Sequence, residues 1–428
     1  VSDTAPEPRE DPQEGGEPVG MAERLAVSQR AGGLVTPLIT ALIAFFVGGL
    51  VVLASGSNPF STYKAIFNGT GLDWFFRFGH HHIDLPFTHH RVAFWWDTGS
   101  LAASNLQQTL ILTTPLILCG LAVAFAFRCG MFNIGGEGQY IVGSIMAVWI
   151  ASSFLKMNGP LHIALAIVVA AVAGGLYAGI AGFLKATVGA HEVITTIMLN
   201  WIAIWVGSWL FGLGGPLQSH ANGAAVPISN DIAMGAHLPV FWGDPVLQGL
   251  HIGIFVALGA LIVYWMTLNR TTLGYQVRAV GFNPEAARYG GIGVARNYFR
   301  AMLIAGAFAG LAGAVDILGW EFRLAVNDIQ ISNIGFIAIA VALLGRNTAI
   351  GVFFSALLFG ALLTGTSTRN LNPNTFSPDL ASNLTLIIQG LVVLFVGADV
   401  LVLWIWNQRR RLRLNRPSGP AAEVVQAP

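Results

Sequence analysis

The sequence predicts an all-α, polytopic membrane protein of about ten transmembrane helices. Three observations carry that class. Hydrophobic residues make up 54% of the 428 and charged residues 10%, whereas a soluble domain carries about 25% charged residues. The mean hydropathy is +0.65. Apolar runs of roughly twenty residues, enough for a helix to cross a bilayer, recur along the chain.

In chain order, residues 1–30 read as a polar N-terminal tail. Residues 1–20 set Asp3, Glu7, Glu10, Asp11, Glu14 and Glu17 against Arg9, among prolines and glycines, so they should be disordered. They lack the basic start and apolar centre of a signal peptide. Val1 and Met21 are both candidate starts, and MAERLAVSQR at Met21 has the more ordinary beginning. The membrane domain is expected over 31–408, with a loop at 270–296, and a basic tail at 409–428 follows. Its segments are predicted at 34–54, 105–127, 137–155, 162–184, 192–212, 250–268, 298–318, 333–345, 348–366 and 383–406. The run at 333–345 is short, so it reads as either a full crossing or a re-entrant half-span.

Arginine placement orients the segments. Arg24 and Arg30 precede the first. Arg270, Arg278, Arg288, Arg296 and Arg300 surround the central loop, and Arg409, Arg410, Arg411, Arg413 and Arg416 follow the last. The positive-inside rule places all three groups, and so both termini, in the cytoplasm. Residues 55–104 and 213–249 then lie outside, either facing a delivering partner or simply covering helix ends. The 51 glycines suit close helix packing. Gly175-x-x-x-Gly179 and Gly306-x-x-x-Gly310 are candidate contacts, loose enrichment being the alternative.

Several function classes are excluded. A net charge of +1 gives no basis for a nucleic-acid partner. The lysines, Lys64, Lys156 and Lys185, are none of them preceded by glycine, so no G-x-x-x-x-G-K-[ST] phosphate loop exists and the chain is not itself an ATPase. No nucleophile constellation appears, and few acids lie within the spans, which argues against a proton-coupled pump. Cys119 and Cys129 are ten residues apart on one helix, about 15 Å, too far for a disulfide.

The polar interruptions carry the chemistry. TTLGYQVRAVGFNPEAARYGGIG, at 271–293, holds a short helix with its own signals: Asn283 as N-cap, Pro284 in the first turn, Glu285 at the positive end and Gly290–Gly291 as the stop. Such a helix between spans suits docking to a cytoplasmic partner. AFRCGMFNIGGEGQY, at 126–140, breaks two apolar helices with glycines and places Asn133, Glu137 and Gln139 near membrane depth. It reads either as a transport-path element or as a tight turn at the end marked by Arg128. Trp201, Trp205 and Trp209 form one stripe of a helix that also carries Thr195, Thr196 and Asn200. The stripe suits base stacking or, more commonly, packing against helices or lipid. Asn200, a mid-helix amide, needs a partner or a wet cavity.

His80, His81, His82, His89 and His90 with Asp84 make a histidine-rich insert whose default reading is a solvated loop rather than a metal site. Asp316, Glu321 and Arg323 cluster at the outer end of the seventh segment, as a gate, an ion pair or interface residues. Asp399 near the last span reads as structural.

Four of these stretches resemble the membrane permeases of bacterial ABC importers, in the branched-chain amino acid and simple-sugar permease group. The central loop is similar to their coupling loop, with Gly274, Arg278, Ala279, Gly281, Asn283, Ala286, Ala287, Tyr289, Gly290 and Ile292 in matching places. Gly130–Gln139, GMFNIGGEGQ, resembles the signature of the nucleoside and simple-sugar permeases that work with basic-membrane-protein lipoproteins. HEVITTIMLNWI, at 191–202, resembles N-E-V-I-x-T-x-M-L-N-Y-I, departing at His191 and Trp201. NIGFIAIAVALLGR, at 333–346, resembles G-F-x-A-I-A-V-A-L-L-G. The matches span about 109–400, and the histidine insert has no counterpart.

The resemblance implies a type II ABC-importer permease fold in the bacterial inner membrane, importing nucleosides. The alternatives are simple sugars such as ribose, or branched-chain amino acids, and, less favoured, an ATP-independent secondary transporter. It implies a cytoplasmic ATPase subunit that holds ATP and Mg, with no cofactor or metal in this chain. It also implies a second permease, a homologue or a second copy, and a periplasmic or lipoprotein substrate-binding protein. The substrate path would include Asn133, Glu137, Gln139, Thr195, Thr196, Asn200, Trp201 and Trp205. ATPase coupling would fall to Gly274, Arg278, Gly281, Asn283, Glu285, Ala286, Ala287, Tyr289 and Gly290.

Overall fold

The computed structural model describes residues 35–54, 56, 58–76, 78–84, 91–96, 99–154, 157–220, 226–243 and 249–367, with scattered helical positions between 383 and 394. Both predicted tails, Asp399, His89, His90 and most of the expected tenth segment lie outside the described residues. The helices follow the apolar runs: α1 Val35–Ala54, α2 Pro59–Thr70, α3 Leu101–Arg128, α4 Gly136–Ser153, α5 Gly159–Val188, α6 Glu192–Phe211 and α7 Gly253–Arg270. Next come α8 Thr272–Phe282, α9 Pro284–Tyr289, α10 Val294–Asp316 with a π-helical turn Ile317–Glu321, α11 Val326–Ile331, α12 Ile334–Leu344 and α13 Ala349–Gly365. Among the described residues, six stretches are long and apolar enough to cross a membrane. They are α3, α5, α6, α7, α10 with its π-turn, and Val326–Leu344 taken as one unit. Ala41–Ala54 and α13 are shorter apolar helices.

The structure departs from the expected segments in three places. The short run at 333–345 is the second half of a broken helix, since α11 precedes it and the chain opens at Ser332–Asn333. A polar α11, VNDIQI, hid its first half from a hydropathy reading. The histidine-rich insert is an antiparallel hairpin, Phe78–Asp84 against Arg91–Trp96, so His80, His81 and His82 lie on a strand and not in a loop. Before it, α2 is set by Asn58, whose side chain accepts the Phe60 N–H, and by Pro59 in the first turn.

The core is built around α10, which packs on α5, α4 and α3. Small residues allow this. A Cβ on Gly306 would lie 2.2 Å from the Gly174 carbonyl oxygen, and one on Gly310 would lie 2.3 Å from that of Ala170. Backbones touch there, so dispersion contacts run the length of both helices without side chains holding them apart. Of the two glycine pairs picked from the sequence, Gly306 and Gly310 thus form the seam, while Gly175 and Gly179 meet Leu303 and Phe299 on the same helix.

The helix ends carrying Arg128, Lys185, Arg270 and Arg346 lie together with α8 and α9, giving the molecule a basic end. There one carbonyl gathers three segments. Asn347, at φ 53°, ends the α12–α13 turn, and its oxygen accepts from Arg128 Nε at 3.0 Å, Arg128 Nη2 at 2.8 Å and the Tyr264 hydroxyl at 2.8 Å. At the opposite end residues 226–238 lie over the π-turn. Ile232 N–H donates to the Phe322 carbonyl, Leu238 N–H to that of Leu318, and Ile228 bridges to Ala325. This segment covers helix ends, one of its two expected roles.

Gly310→Val should lower stability by about 1–3 kcal/mol or block accumulation, because overpacking has no flexible neighbour to absorb it. Gly259→Ala, whose Cβ would meet nothing within 4 Å, should be neutral or stabilising by up to about 1 kcal/mol. Thermal unfolding in detergent, followed by tryptophan fluorescence, checks both.

Candidate functional site

Two helices begin inside the protein and face each other. After Arg128 the chain turns through Gly130 at φ 75° and runs as irregular backbone to Gly135 before α4 starts. Backbone of this kind inside a membrane needs internal partners. Asn133 and Gln139 supply some: Asn133 Nδ2 donates to Gln139 Oε1 at 3.0 Å, and Gln139 Nε2 donates back to Asn133 Oδ1 at 2.9 Å. Asn133 Oδ1 also accepts the Gly135 N–H at 3.0 Å. From α6, Asn200 Oδ1 accepts the Gly138 N–H at 2.8 Å, and its Nδ2 donates to the Ile134 carbonyl at 2.9 Å.

Glu137, fully buried, closes the arrangement. Its Oε2 accepts the Gly335 N–H at 2.7 Å, in the first turn of α12. A carboxylate at a helix N-terminus is favoured by the exposed amides and the helix dipole. The approach requires glycine, since a Cβ on Gly335 would lie 2.1 Å from the Glu137 nitrogen. The broken helix α11–α12 and the late start of α4 therefore satisfy one another.

The residues expected on a substrate path divide into two sets. Asn133, Glu137, Gln139, Thr196 and Asn200 are buried. The Thr195 and Thr196 hydroxyls donate to the His191 and Glu192 carbonyls of their own helix. Trp201, Trp205 and Trp209 point out of the chain, 54%, 63% and 65% exposed. The stripe is real, but it is a surface feature of this chain.

The expected coupling residues lie on α8 and α9. Asn283 caps α9 as predicted, its Oδ1 accepting from Glu285 N–H and Ala286 N–H at 3.0 Å each. Pro284 opens the helix and Gly290 ends it, with Gly291 at φ 78°. Asn283, Glu285, Ala286, Tyr289 and Gly290 are exposed, and Ala287 is buried. Gly274 and half-buried Arg278 face the body, the Arg278 Nε donating to the Gly274 carbonyl at 3.3 Å. Gly281 is a joint: a Cβ there would lie 2.3 Å from the Arg128 carbonyl oxygen, beside Gly130. Phe282, 80% exposed where Tyr289 is 95% exposed, was not singled out from the sequence. An aromatic directly before an N-cap at a solvent-side helix was the available signal.

At the other end, the Tyr140 hydroxyl donates to Asp316 Oδ2 within the core. Arg323 does not pair with Asp316 or Glu321; its guanidinium lies 3.9 Å from Asp231. The ion-pair reading of that cluster is thus replaced by a tyrosine–carboxylate contact and a separate, exposed Arg323–Asp231 pair.

Residues 105–397 match the family described as branched-chain amino acid transport system / permease component. The chain is 36% identical to the guanosine ABC transporter permease protein NupP of Bacillus subtilis, over 90% of this chain and 99% of that one. It is 30% identical to the nucleoside ABC transporter permease protein NupB of Lactococcus lactis, over 86% and 92%. It is 32% identical to the glucose ABC transporter permease protein TsgB13 of Haloferax volcanii, over 84% and 86%. No solved structure matches the chain.

Asn200→Leu should destabilise by several kcal/mol, since the Gly138 N–H and Ile134 carbonyl would each be left unsatisfied at about 1–3 kcal/mol. Trp205→Ala should leave the melting temperature within about 2 °C, because the ring touches little of this chain. Melting curves of the purified variants decide whether Asn200 holds the α4–α6 backbone together.

Proposed function

The chain belongs to the branched-chain amino acid transport system permease component family, and we propose that it is the permease subunit of a bacterial ABC importer for nucleosides. It is a multi-pass membrane protein, and the family is a permease component, distinct from the ATPase. The observation that carries the proposal is the capped helix α9, presented at the basic end with Phe282 and Tyr289 exposed. An exposed aromatic at each end of the α8–α9 joint, Phe282 closing α8 and Tyr289 closing α9, suits insertion into a cleft of a cytoplasmic ATPase, which would hold ATP and Mg.

The remaining features fit that reading. The membrane domain spans 31–408 with about ten crossings, and residues 270–296 form the coupling loop. The basic end faces the cytoplasm with both termini, in the inner membrane. A second permease, homologous or identical, completes the channel, and a periplasmic or lipoprotein binding protein delivers substrate to the opposite end. Motion of α9 passes through α8 and Gly281 to the Arg128–Gly130 turn and so to the broken helices. Trp201 and Trp205 line the path or the permease–permease interface, with Thr195 beside them. Asn133, Glu137, Gln139, Thr196 and Asn200 shape the path from behind. Substrate follows from relatives named for guanosine and nucleosides. The glucose-named relative favours a second reading, a simple sugar.

Two measurements test this. Phe282→Ala with Tyr289→Ala should reduce co-purification of the ATPase at least about tenfold, as loss of two interface aromatics does, with the amount in the membrane unchanged. Deleting the chain should abolish uptake of labelled guanosine in the source bacterium. Retained docking would refute α9 as the coupling element, and retained uptake without a redundant importer would refute the import function.

A further inference from the structure

Between α4, the π-turn that ends α10 and the short α11 lies a cavity of about 210 Å³. Its polar lining is Tyr140, Ser144, Glu321, Asp328 and Ser332, and isoleucine and leucine side chains form the rest. Most of these groups are already engaged. The Tyr140 hydroxyl donates to Asp316, the Ser144 hydroxyl donates to the Tyr140 carbonyl at 3.1 Å, and Asp328 Oδ2 accepts the Ala325 N–H at 3.0 Å.

Glu321 is different. Its carboxylate is partly buried at the cavity wall, and its charged neighbours are Asp316 and Asp328. Among the described residues no hydrogen bond or cation reaches it, and Arg323 is turned to Asp231. The residue sits on a π-helical turn, a geometry that recurs at functional sites. Next to the cavity, Asn327, Gln330 and Asn333 are exposed on α11 and at the helix break. The surroundings of the cavity are thus rich in amide side chains.

The site offers acceptors and calls for donors. A bound metal is disfavoured, because no group of three or more His, Cys, Asp or Glu is arranged to hold one among the described residues. A carboxylate with both oxygens available suits two adjacent hydroxyls, as acidic side chains bind ribose elsewhere. The apolar walls suit the C–H face of a sugar ring. The volume falls below the roughly 300–1,000 Å³ of drug-sized sites, so it admits one ring and leaves a base outside. We propose that this cavity is the sugar subsite of the transport path, with Glu321 accepting from vicinal hydroxyls of the cargo. This rests on the reading of the chain as an importer of nucleosides, and it names the part of the cargo that a nucleoside and a hexose share.

The test uses the complete importer in cells lacking other routes, with labelled guanosine, 2′,3′-dideoxyguanosine, glucose and leucine, in wild type and Glu321→Gln. Guanosine should enter wild type faster than the dideoxy analogue. In Glu321→Gln its uptake should fall about tenfold, the loss expected for a charge-assisted hydrogen bond, while dideoxyguanosine uptake stays the same. That collapse of the ratio is independent of how much protein is inserted. Should Glu321→Gln not accumulate, Glu321→Asp, which keeps the charge and shortens the reach, is read by the same ratio.

An unchanged ratio in the variant overturns the subsite while the nucleoside reading stands. Uptake of glucose in place of guanosine, lost in Glu321→Gln, supports the subsite and overturns the nucleoside reading. Leucine as the sole cargo overturns both.

Discussion

The hydrogen bond from Gly335 N–H to Glu137 is the constraint on which the membrane core depends. A bilayer offers no water to an interrupted helix, so every amide freed by a break must find a partner within the protein. This chain breaks one helix, α11–α12, and starts another, α4, well inside the protein, and lets each answer the other. The carboxylate at the start of α4 caps α12, and the glycines at 136 and 335 bring the backbones close enough for it to reach, while Gly138 leaves room for Asn200. Asn133 then answers the Gly135 amide and Asn200 the Gly138 amide and Ile134 carbonyl, with Gln139 holding Asn133 in place. The buried polar groups around Glu137 and Gly335 are in this sense structural, holding helix starts and irregular backbone in place.

Around that scaffold the molecule is mechanically uneven. The α5–α10 seam is packed backbone to backbone, and such contacts have little room to slide. The basic end is attached differently, through the Gly281 contact and the Asn347 carbonyl, a few polar and close-packed points with exposed helix between them. A permease that must follow an ATPase needs this combination of a stiff bundle and a short linkage running to the helix breaks. The acidic cavity lies beyond those breaks, at the far end of the same linkage.

Much of this was legible in the sequence because it is local. Among the described residues, apolar length placed the helices to within a few residues but not which of them are long enough to cross a membrane, and the Asn283–Pro284–Glu285 order fixed α9 with its cap and stop. Long-range pairing was not legible. Nothing in GMFNIGGEGQ says that Glu137 meets a glycine 198 residues later, or that Asn133 spends itself on Gln139. The tryptophan period identified one face of α6, but which way that face turns depends on what the other helices leave uncovered. Helix α11 escaped because its amides and Asp328 lower its hydropathy, and those same polar side chains are what make its surroundings of interest. Helix α2 escaped because it sits in a stretch read as external, although Asn58–Pro59 carried the same start signal as Asn283–Pro284.

The separation between Glu137 and Gly335 also sets a problem of biogenesis. Translation at about 5–20 residues per second puts roughly 10–40 s between the synthesis of the acid and that of the amide it caps. For that interval the nascent chain carries a carboxylate without its Gly335 mate, although Asn133 and, 62 residues on, Asn200 already answer the backbone around it, and Arg128 waits longer still for Asn347. The first half of the protein is therefore an unfinished insertion intermediate. It must be sheltered at the translocon, or held at the membrane surface, until the ribosome delivers the second broken helix.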